Sequence, residues 1–357
     1  MSSGEELGGA RASRQAVMRK IERCFVAFVD SANADDDCAV LSHRNSKVRV
    51  PLKEGTVSRL ACVFRLMADV YRLLLDDDFS TKRDLFYQNK RLYGTQSRLN
   101  SAVTTVCQLL QEPRDALHVL SCSRGLVFGN LLWEETDDVG SAVRVIDCRR
   151  RPSPIPSASA PSGERRGASR LRAPVDGAFC LLVEKEASFQ KLIDQRLVHA
   201  AADKCVLLTG RGYPDIATRQ LVKRLLAELG VRTFALVDAD PHGIEIMLTY
   251  KYGPTATTYE NRRLSASLVE WIGLFRSELQ GLPVSDDQLL ALSDAEQLKI
   301  GALRRRATAL GDELVLRELE ALERTVTKAE IEALSALSSD FFVLRYLIPK
   351  LRTLGVV

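Results

Sequence analysis

Three carboxylates, Glu184, Asp238 and Asp240, stand where predicted strands end. Glu184 follows the apolar run 178–183, and the two aspartates follow 232–237. In an open α/β sheet the carboxyl ends of the strands form the ligand crevice. Three carboxylates gathered there repel one another unless a cation lies between them, and hard oxygen ligands select Mg²⁺ or Mn²⁺ over zinc. An Asp-x-Asp pair alone is more often a helix cap or a surface turn than a metal site. Glu184 one strand away and the loop Gly210-Arg211-Gly212 strengthen the metal reading. No Gly-x-x-x-x-Gly-Lys-Ser/Thr loop occurs, so no ATP site is expected in this chain. The other chemical candidate is Tyr87, four residues after Arg83 on a predicted helix, which puts both side chains on one face. A tyrosine hydroxyl becomes a covalent nucleophile when a base or cation helps remove its proton. From spacing alone a core tyrosine is the better reading.

The elements that must position these residues follow from periodicity. Residues 1–12 are rich in Gly, Ser and Glu and are expected to be disordered, with a helix beginning at a Ser13 cap. A polar loop over 31–47 and a short strand over 47–52 come next. Leu60, Phe64, Met67, Tyr71 and Leu74 share one face of a helix over 57–75, which the run Asp76-Asp77-Asp78 breaks. Thr81 followed by Asp84 resembles a capping box and starts a second helix to about 91. A third spans about 95–111, with Leu99, Val103, Val106 and Leu110 apolar and Pro113 beyond its end. Two β-rich runs, 117–121 and 126–133, flank the turn Ser123-Arg124-Gly125 and predict a hairpin. Three helices and a hairpin form the order of a winged helix-turn-helix, commonly a DNA-binding module.

Residues 149–174 hold seven Arg, five Pro and five Ser, with Ile155 and Leu171 the only large apolar side chains. A disordered basic linker is expected there, with its Arg triplet available for nuclear import or DNA contact. From 175 the chain alternates strands (178–183, 204–209, 232–237) with helices, among them one capped by Asp215 and stopped by Gly230. That alternation predicts a parallel sheet. The expected division is thus 1–55, an N-terminal helix and flexible segment; 56–148, the winged-helix domain; 149–174, the linker; and 175–357, an α/β domain with a helical C-terminal part.

Composition sets the outer limits. The 357 residues are 46% hydrophobic and 27% charged, ordinary for globular chains. No run reaches the roughly 18 apolar residues of a membrane span, and no secretory signal is visible. The net charge is only +4, yet residues 80–131 carry seven basic against three acidic side chains. That excess suits a phosphate-backbone partner as well as a solvated surface. Eight cysteines show no C-x-x-C pair and the four histidines no ligand cluster, so reduced, mostly buried thiols are expected.

Four ordered motifs add a resemblance. The run Thr81-Lys82-Arg83-Asp84-Leu85-Phe86-Tyr87 resembles the active-site tyrosine motif of the topoisomerase VI A-subunit family, which includes the transesterases of meiotic double-strand-break formation. Glu184-Lys185, the stretch 209–219 and the stretch 237–253 look like that family's Toprim signatures, and 123–127 resembles its wing turn. The Asp-Pro-His-Gly-Ile-Glu-Ile form looks more like the animal-type meiotic branch. Gly253 is followed by Pro254 where the family usually has Ser, and the basic 149–174 segment is unlike the usual connection.

The resemblance implies a CAP-like winged helix followed by a Toprim domain. It implies that Tyr87 joins a DNA 5′ end, that Arg83 serves the scissile phosphate, and that Glu184, Asp238 and Asp240 hold Mg²⁺, or Mn²⁺. Lys82, Arg124 and Arg211 become candidate DNA contacts. The implied partners are double-stranded DNA, a second copy of the chain, a topoisomerase VI B-like protein and other meiotic break proteins, in the nucleus and with no membrane. The competing readings are a DNA-resealing topoisomerase VI component, a catalytically inactive DNA-binding scaffold, and a Toprim nuclease or primase.

Overall fold

The computed structural model describes residues 3–32, 38–43, 46–51, 54–120, 123–136, 142–156, 169–254, 264–338 and 340–357. They fall into two compact units. One is built mainly on residues 1–122, the other on 123–155, 165–254 and 264–357.

The first unit opens with α1 (Ser3–Ala32), so Ser13 lies inside a helix rather than capping one. Strands β1 (Cys38–His43) and β2 (Ser46–Pro51) form an antiparallel pair, of which only the second is foreseen from the sequence. Helix α2 (Glu54–Asp76) ends in the Asp run as expected. Then follow β3 (Ser80–Thr81), α3 (Lys82–Gln88), α4 (Lys90–Tyr93) and α5 (Gln96–Leu110). The expected 81–91 helix is therefore two pieces. At the break the Asn89 amide N–H bonds to the Phe86 carbonyl, and Asn89 Nδ2 donates to Asp69 Oδ2 at 3.2 Å. Leu66, Met67 and Val70 of α2, Leu85 of α3 and Leu99, Val106 and Leu110 of α5 fill one core with Val17 and Ile21 of α1. Met67, Leu99, Val106 and Leu110 are among the positions helical spacing marks, whereas Leu66 and Val70 join them and the marked Phe64 and Tyr71 are only partly buried.

The predicted hairpin is not formed. Strand β4 (Val119–Leu120) runs parallel to β3, while β5 (Leu126–Gly129) pairs antiparallel with a strand of the second unit's own sheet. The unit boundary accordingly falls at 122/123 and not at 148. Backbone approach explains why β5 goes there. A Cβ on Gly129 would sit 2.2 Å from the Cys205 carbonyl oxygen, so only glycine lets that strand close in.

The second unit continues with β6 (Leu132–Thr136), β7 (Ala142–Asp147), β8 (Ser153–Pro154) and β9 (Ser169–Arg172). Then come β10 (Phe179–Val183), α6 (Glu186–Asp194), α7 (Leu197–Ala200), β11 (Cys205–Thr209), α8 (Ile216–Leu229), β12 (Arg232–Leu236), α9 (Pro241–Tyr252) and β13 (Glu270–Gly273). The main sheet has the order β13-β12-β10-β11-β5-β8. Its first four strands are parallel and its last two antiparallel, so the expected parallel sheet carries an antiparallel edge. Both faces are covered. Cys180 and Leu182 of β10 feed one core with Leu221 and Leu225 of α8 and Met247 of α9. Phe179, Leu181 and Val183 feed the opposite core with Phe189 of α6 and Phe342 and Leu351 near the C-terminus. That two-sided burial is why these strands read as unbroken apolar runs.

The 149–174 expectation fails at both flanks. β8 pairs with β5 and β9 pairs with β6. Ile155 and Leu171 are buried in the core, so two apolar side chains suffice to seat the ends of a segment whose composition is otherwise that of a linker. Its middle, 157–168, lies outside the described residues. Beyond β13 come β14 (Leu290–Ala291), α10 (Asp294–Leu310), α11 (Glu313–Thr325) and β15 (Thr327–Lys328), followed by short helices. Among the described residues no helix is long and apolar enough to cross a membrane. Cys24, Cys62, Cys107, Cys148, Cys180 and Cys205 are free and buried.

Candidate active site

Tyr87 is built from its helix upward. The Thr81 side chain caps α3 by accepting the Asp84 amide N–H at 3.1 Å, and Thr81 Oγ1 donates to Asp84 Oδ2 at 2.6 Å. A first-turn Asp also suits the positive end of the helix. Leu85 and Phe86 are buried, which turns Arg83 and Tyr87 to the opposite face. Tyr87 is 57% exposed, so the core-tyrosine reading is excluded. The Arg83 guanidinium carbon lies 5.9 Å from the centre of the Tyr87 ring, and Phe86 meets the ring edge-on. A phenolic hydroxyl and a cation thus share one exposed face of a short capped helix. Lys82 is half-buried at the first position of the same helix.

The carboxylates form the second candidate, within the second unit. The chain runs from β11 back across β10 to β12, so β10 marks the point where strand order reverses, the place where such sheets open a crevice. Glu184 follows β10, Asp238 and Asp240 follow β12, and all three are buried. Glu184 Oε2 accepts the Asp238 backbone N–H at 2.9 Å. Asp238 Oδ1 accepts the Ile331 N–H at 2.9 Å, and Asp238 Oδ2 meets Lys185 Nζ at 2.9 Å. Asp240 Oδ1 accepts the Gly243 N–H and so caps α9, making the cap reading of this aspartate true as well. Gly243 is required by space: a Cβ there would lie 2.3 Å from the Asp238 carbonyl oxygen.

Burial, and then the charge of Asp238, push the Glu184 carboxyl well above the usual carboxylate range. Burial also raises Asp238, with Lys185 and the Ile331 N–H pulling it back. Among the described residues no three His, Cys, Asp or Glu side chains stand in a ligating arrangement. The donor chemistry nonetheless fits a hard divalent cation: buried carboxylate oxygens, close enough to raise each other's proton affinity, with negative charge that a cation would offset.

The Gly210-Arg211-Gly212 loop closes over this edge. Gly212 N–H donates to the Glu184 carbonyl at 2.8 Å and Thr209 Oγ1 donates to the same oxygen at 3.2 Å. Arg211 adopts φ 55° and pairs with Glu186 at 2.7 Å. Arg124 is exposed, and its backbone N–H is held by Asp215 Oδ2 at 2.6 Å.

Sequence reading missed one part of the site. The segment after β15 returns to it: Ala329 bridges to Ala239, Ile331 binds Asp238, and Glu330 and Glu332 hold Lys185. Ile331 is 93 positions from Asp238, so no local pattern reports the contact.

Comparison with known proteins supplies the rest. Residues 179–351 match the Toprim domain of the topoisomerase 6 A-subunit/Spo11 family, and residues 58–119 match the type IIB DNA topoisomerase family. The meiotic recombination protein SPO11 of Mus musculus is 37% identical over 297 residues, 83% of this chain and 72% of that protein. The protein of the same name from Homo sapiens is 34% identical over 327 residues, 92% and 78%. The A3 subunit of DNA topoisomerase 6 from Oryza sativa subsp. indica is 32% identical over 319 residues, 89% and 69%.

Proposed function

The chain belongs to the topoisomerase 6 A-subunit/Spo11 family, and from that premise we propose that it is the catalytic component that forms meiotic DNA double-strand breaks by transesterification. The observation that carries this reading is the exposed Tyr87 one helical turn from Arg83, inside the stretch that matches a DNA topoisomerase family. Higher identity to the mouse and human meiotic recombination proteins than to the rice topoisomerase 6 subunit supports break formation over resealing.

In the reaction proposed, Tyr87 Oη attacks a backbone phosphorus. A phosphotyrosine bond to the 5′ side forms as the bond to the 3′ oxygen breaks, and the phenolic proton leaves Tyr87 as the 3′ hydroxyl gains one. Bond energy is conserved in the exchange, consistent with the absence of an ATP-loop motif. Arg83 binds the phosphate and offsets the charge that builds on its oxygens, worth the most where water is excluded. Glu184 and Asp238 would be the principal Mg²⁺ ligands, with Asp240 a second or water-mediated one. When bound, Mg²⁺ supplies electrostatic stabilisation of phosphate oxygens. Mn²⁺ has the same ligand preference.

The first unit acts in this reading as the winged-helix domain, supported by α2, α3 and α5 in order with β3 and β4 beside them. Lys82, Arg124 and Arg211 contact the duplex. The tyrosine of one copy works with the carboxylates of another, so the active form is a homodimer. It acts with a topoisomerase VI B-like protein and further meiotic proteins, in the nucleus.

The test is recovery of covalent protein–DNA adducts from meiotic cells carrying Tyr87→Phe. Removing one exposed oxygen should leave folding and DNA binding intact and abolish adducts. Adducts at the wild-type level would refute the assignment.

A further inference from the structure

Lys185 lies beside Glu184 in sequence, yet its side chain reaches across to the neighbouring strand's aspartate. Its Nζ sits 2.9 Å from Asp238 Oδ2, 3.1 Å from Glu330 Oε2 and 3.4 Å from Glu332 Oε2. Asp238 Oδ1 is already taken by the Ile331 N–H. Oδ2 is the Asp238 oxygen not committed to a backbone bond, and the ammonium holds it. We propose that Lys185 is a built-in counter-ion of the cation site, occupying Asp238 Oδ2 until a divalent cation displaces it, with Glu330 and Glu332 retaining the displaced ammonium.

The proposal rests on the reading of Asp238 as a metal ligand. Three features carry it further. First, the ammonium has somewhere to go without crossing the site. Glu330 and Glu332 are already within 3.4 Å, and both stand at the rim with side chains 47% and 40% exposed. Second, that resting place is anchored. Ser188 Oγ donates to Glu332 Oε1 at 2.8 Å, and the Ala239–Ala329 bridge ties the segment to the strand end that carries Asp238. Third, the Lys185 backbone is fixed at the N-cap of α6 while its four-carbon stem is flexible, so the charge can swing a few ångströms without moving the helix.

Exchange of an ammonium for a divalent ion replaces one unit of charge at Asp238 Oδ2 by two, while the three carboxylates now facing Lys185 become two. The arrangement keeps buried Asp238 neutralised in the metal-free protein, and it weakens cation binding relative to bare carboxylates. Loading is therefore a competition set by Mg²⁺ concentration. Nothing local in the sequence announces this, because Glu330 and Glu332 flank Ile331, 93 positions from Asp238.

The experiment measures Mn²⁺ binding to the full chain without DNA, by calorimetry and by the Mn²⁺ electron-spin signal. Lys185→Met should tighten binding about tenfold or more, since the competitor for Oδ2 is gone. Lys328→Met is the control for general charge: its ammonium pairs with Glu296 at 2.6 Å and senses Asp240 and Glu330 through their charge, so it reports the field of a nearby cation rather than competition for Asp238 Oδ2. It should tighten binding by no more than about two- to threefold. Asp238→Asn tests the underlying site and should weaken binding. If Asp238→Asn binds Mn²⁺ as the wild type does, the site reading fails. If it weakens binding while Lys185→Met gains no more than Lys328→Met, the site stands and the counter-ion proposal is overturned. A measurement on the unmutated chain covers loss of folding in Lys185→Met. Amine-reactive labelling followed by mass spectrometry should show Mg²⁺ raising the labelling of Lys185 at least twofold and leaving Lys328 unchanged. Equal labelling of Lys185 with and without Mg²⁺, at concentrations that saturate the site, overturns it too.

Discussion

Two glycines inside helices should respond to the same substitution with opposite signs. Gly301 lies in the interior of α10, where the nearest atom to an added Cβ is Arg305 Nη1 at 3.9 Å, an ordinary contact. Gly301→Ala should stabilise the protein by up to about 1 kcal/mol, the helix-propensity difference. Gly243 lies in the first turn of α9, and its added Cβ would meet the Asp238 backbone: oxygen at 2.3 Å, nitrogen at 2.9 Å and carbonyl carbon at 3.1 Å. No flexible side-chain end is available to yield. Either the Asp238 peptide or the start of α9 must move, at an overpacking cost of about 1–3 kcal/mol. The propensity gain offsets at most about 1 kcal/mol of that. Both alternatives move a site carboxylate, since Asp238 precedes the clash and Asp240 caps the displaced helix. Gly243→Ala should thus lower the urea midpoint and weaken Mn²⁺ binding together. At roughly 2–4 °C per kcal/mol for a domain of about 200 residues, the melting midpoint should fall by several degrees. A Gly243→Ala protein as stable as Gly301→Ala would refute the steric argument. One that is destabilised but binds Mn²⁺ normally would separate the clash from the site.

Further expectations follow from the remaining elements. Deleting 157–168 should leave the urea midpoint nearly unchanged, whereas Ile155→Ala should cost about 2–5 kcal/mol because that side chain is in the core. Burial raises the Glu296 carboxyl, but bonds from Lys328 and Ser293 outweigh it and bring the group down to about 2. Its folded-state value is below the unfolded one, so its stabilisation is present above about 4.5 and lost as pH falls towards about 2; Glu296→Gln should flatten the acid limb of a stability–pH curve over that window. Arg124→Ala should reduce the slope of log affinity against log salt by roughly 0.9 on duplex DNA. Arg83→Ala should lower adduct yield more than affinity, and an Arg83→Ala protein that cleaves normally would remove the residue from the site.

What the linear pattern determined was whatever neighbours decide for themselves. Thr81 caps α3 and Asp215 caps α8 because a side chain three residues from an N–H reaches it in any context. The i, i+4 spacing that puts Arg83 and Tyr87 on one face is helix geometry, and the apolar runs of β10, β11 and β12 announce strands buried on two sides. Glu184, Asp238 and Asp240 are legible as strand-end residues for the same reason. Tertiary structure decided where segments with two plausible partners went. The sequence before and after Ser123 suits a hairpin, yet residues 126–129 enter a large sheet between β11 and β8 instead of pairing with Val119–Leu120. A Pro/Ser/Arg-rich stretch reads as a linker, yet Ile155 and Leu171 reach a core that other segments build. The polar Ser13 resembles a cap, and the helix passes through it. Lys185 finds Glu330 and Glu332 only after the chain beyond β15 has folded back on the strand ends. Caps, faces and strand runs depend on the few residues around them, while sheet edges and ion networks depend on which distant surface is free to be covered.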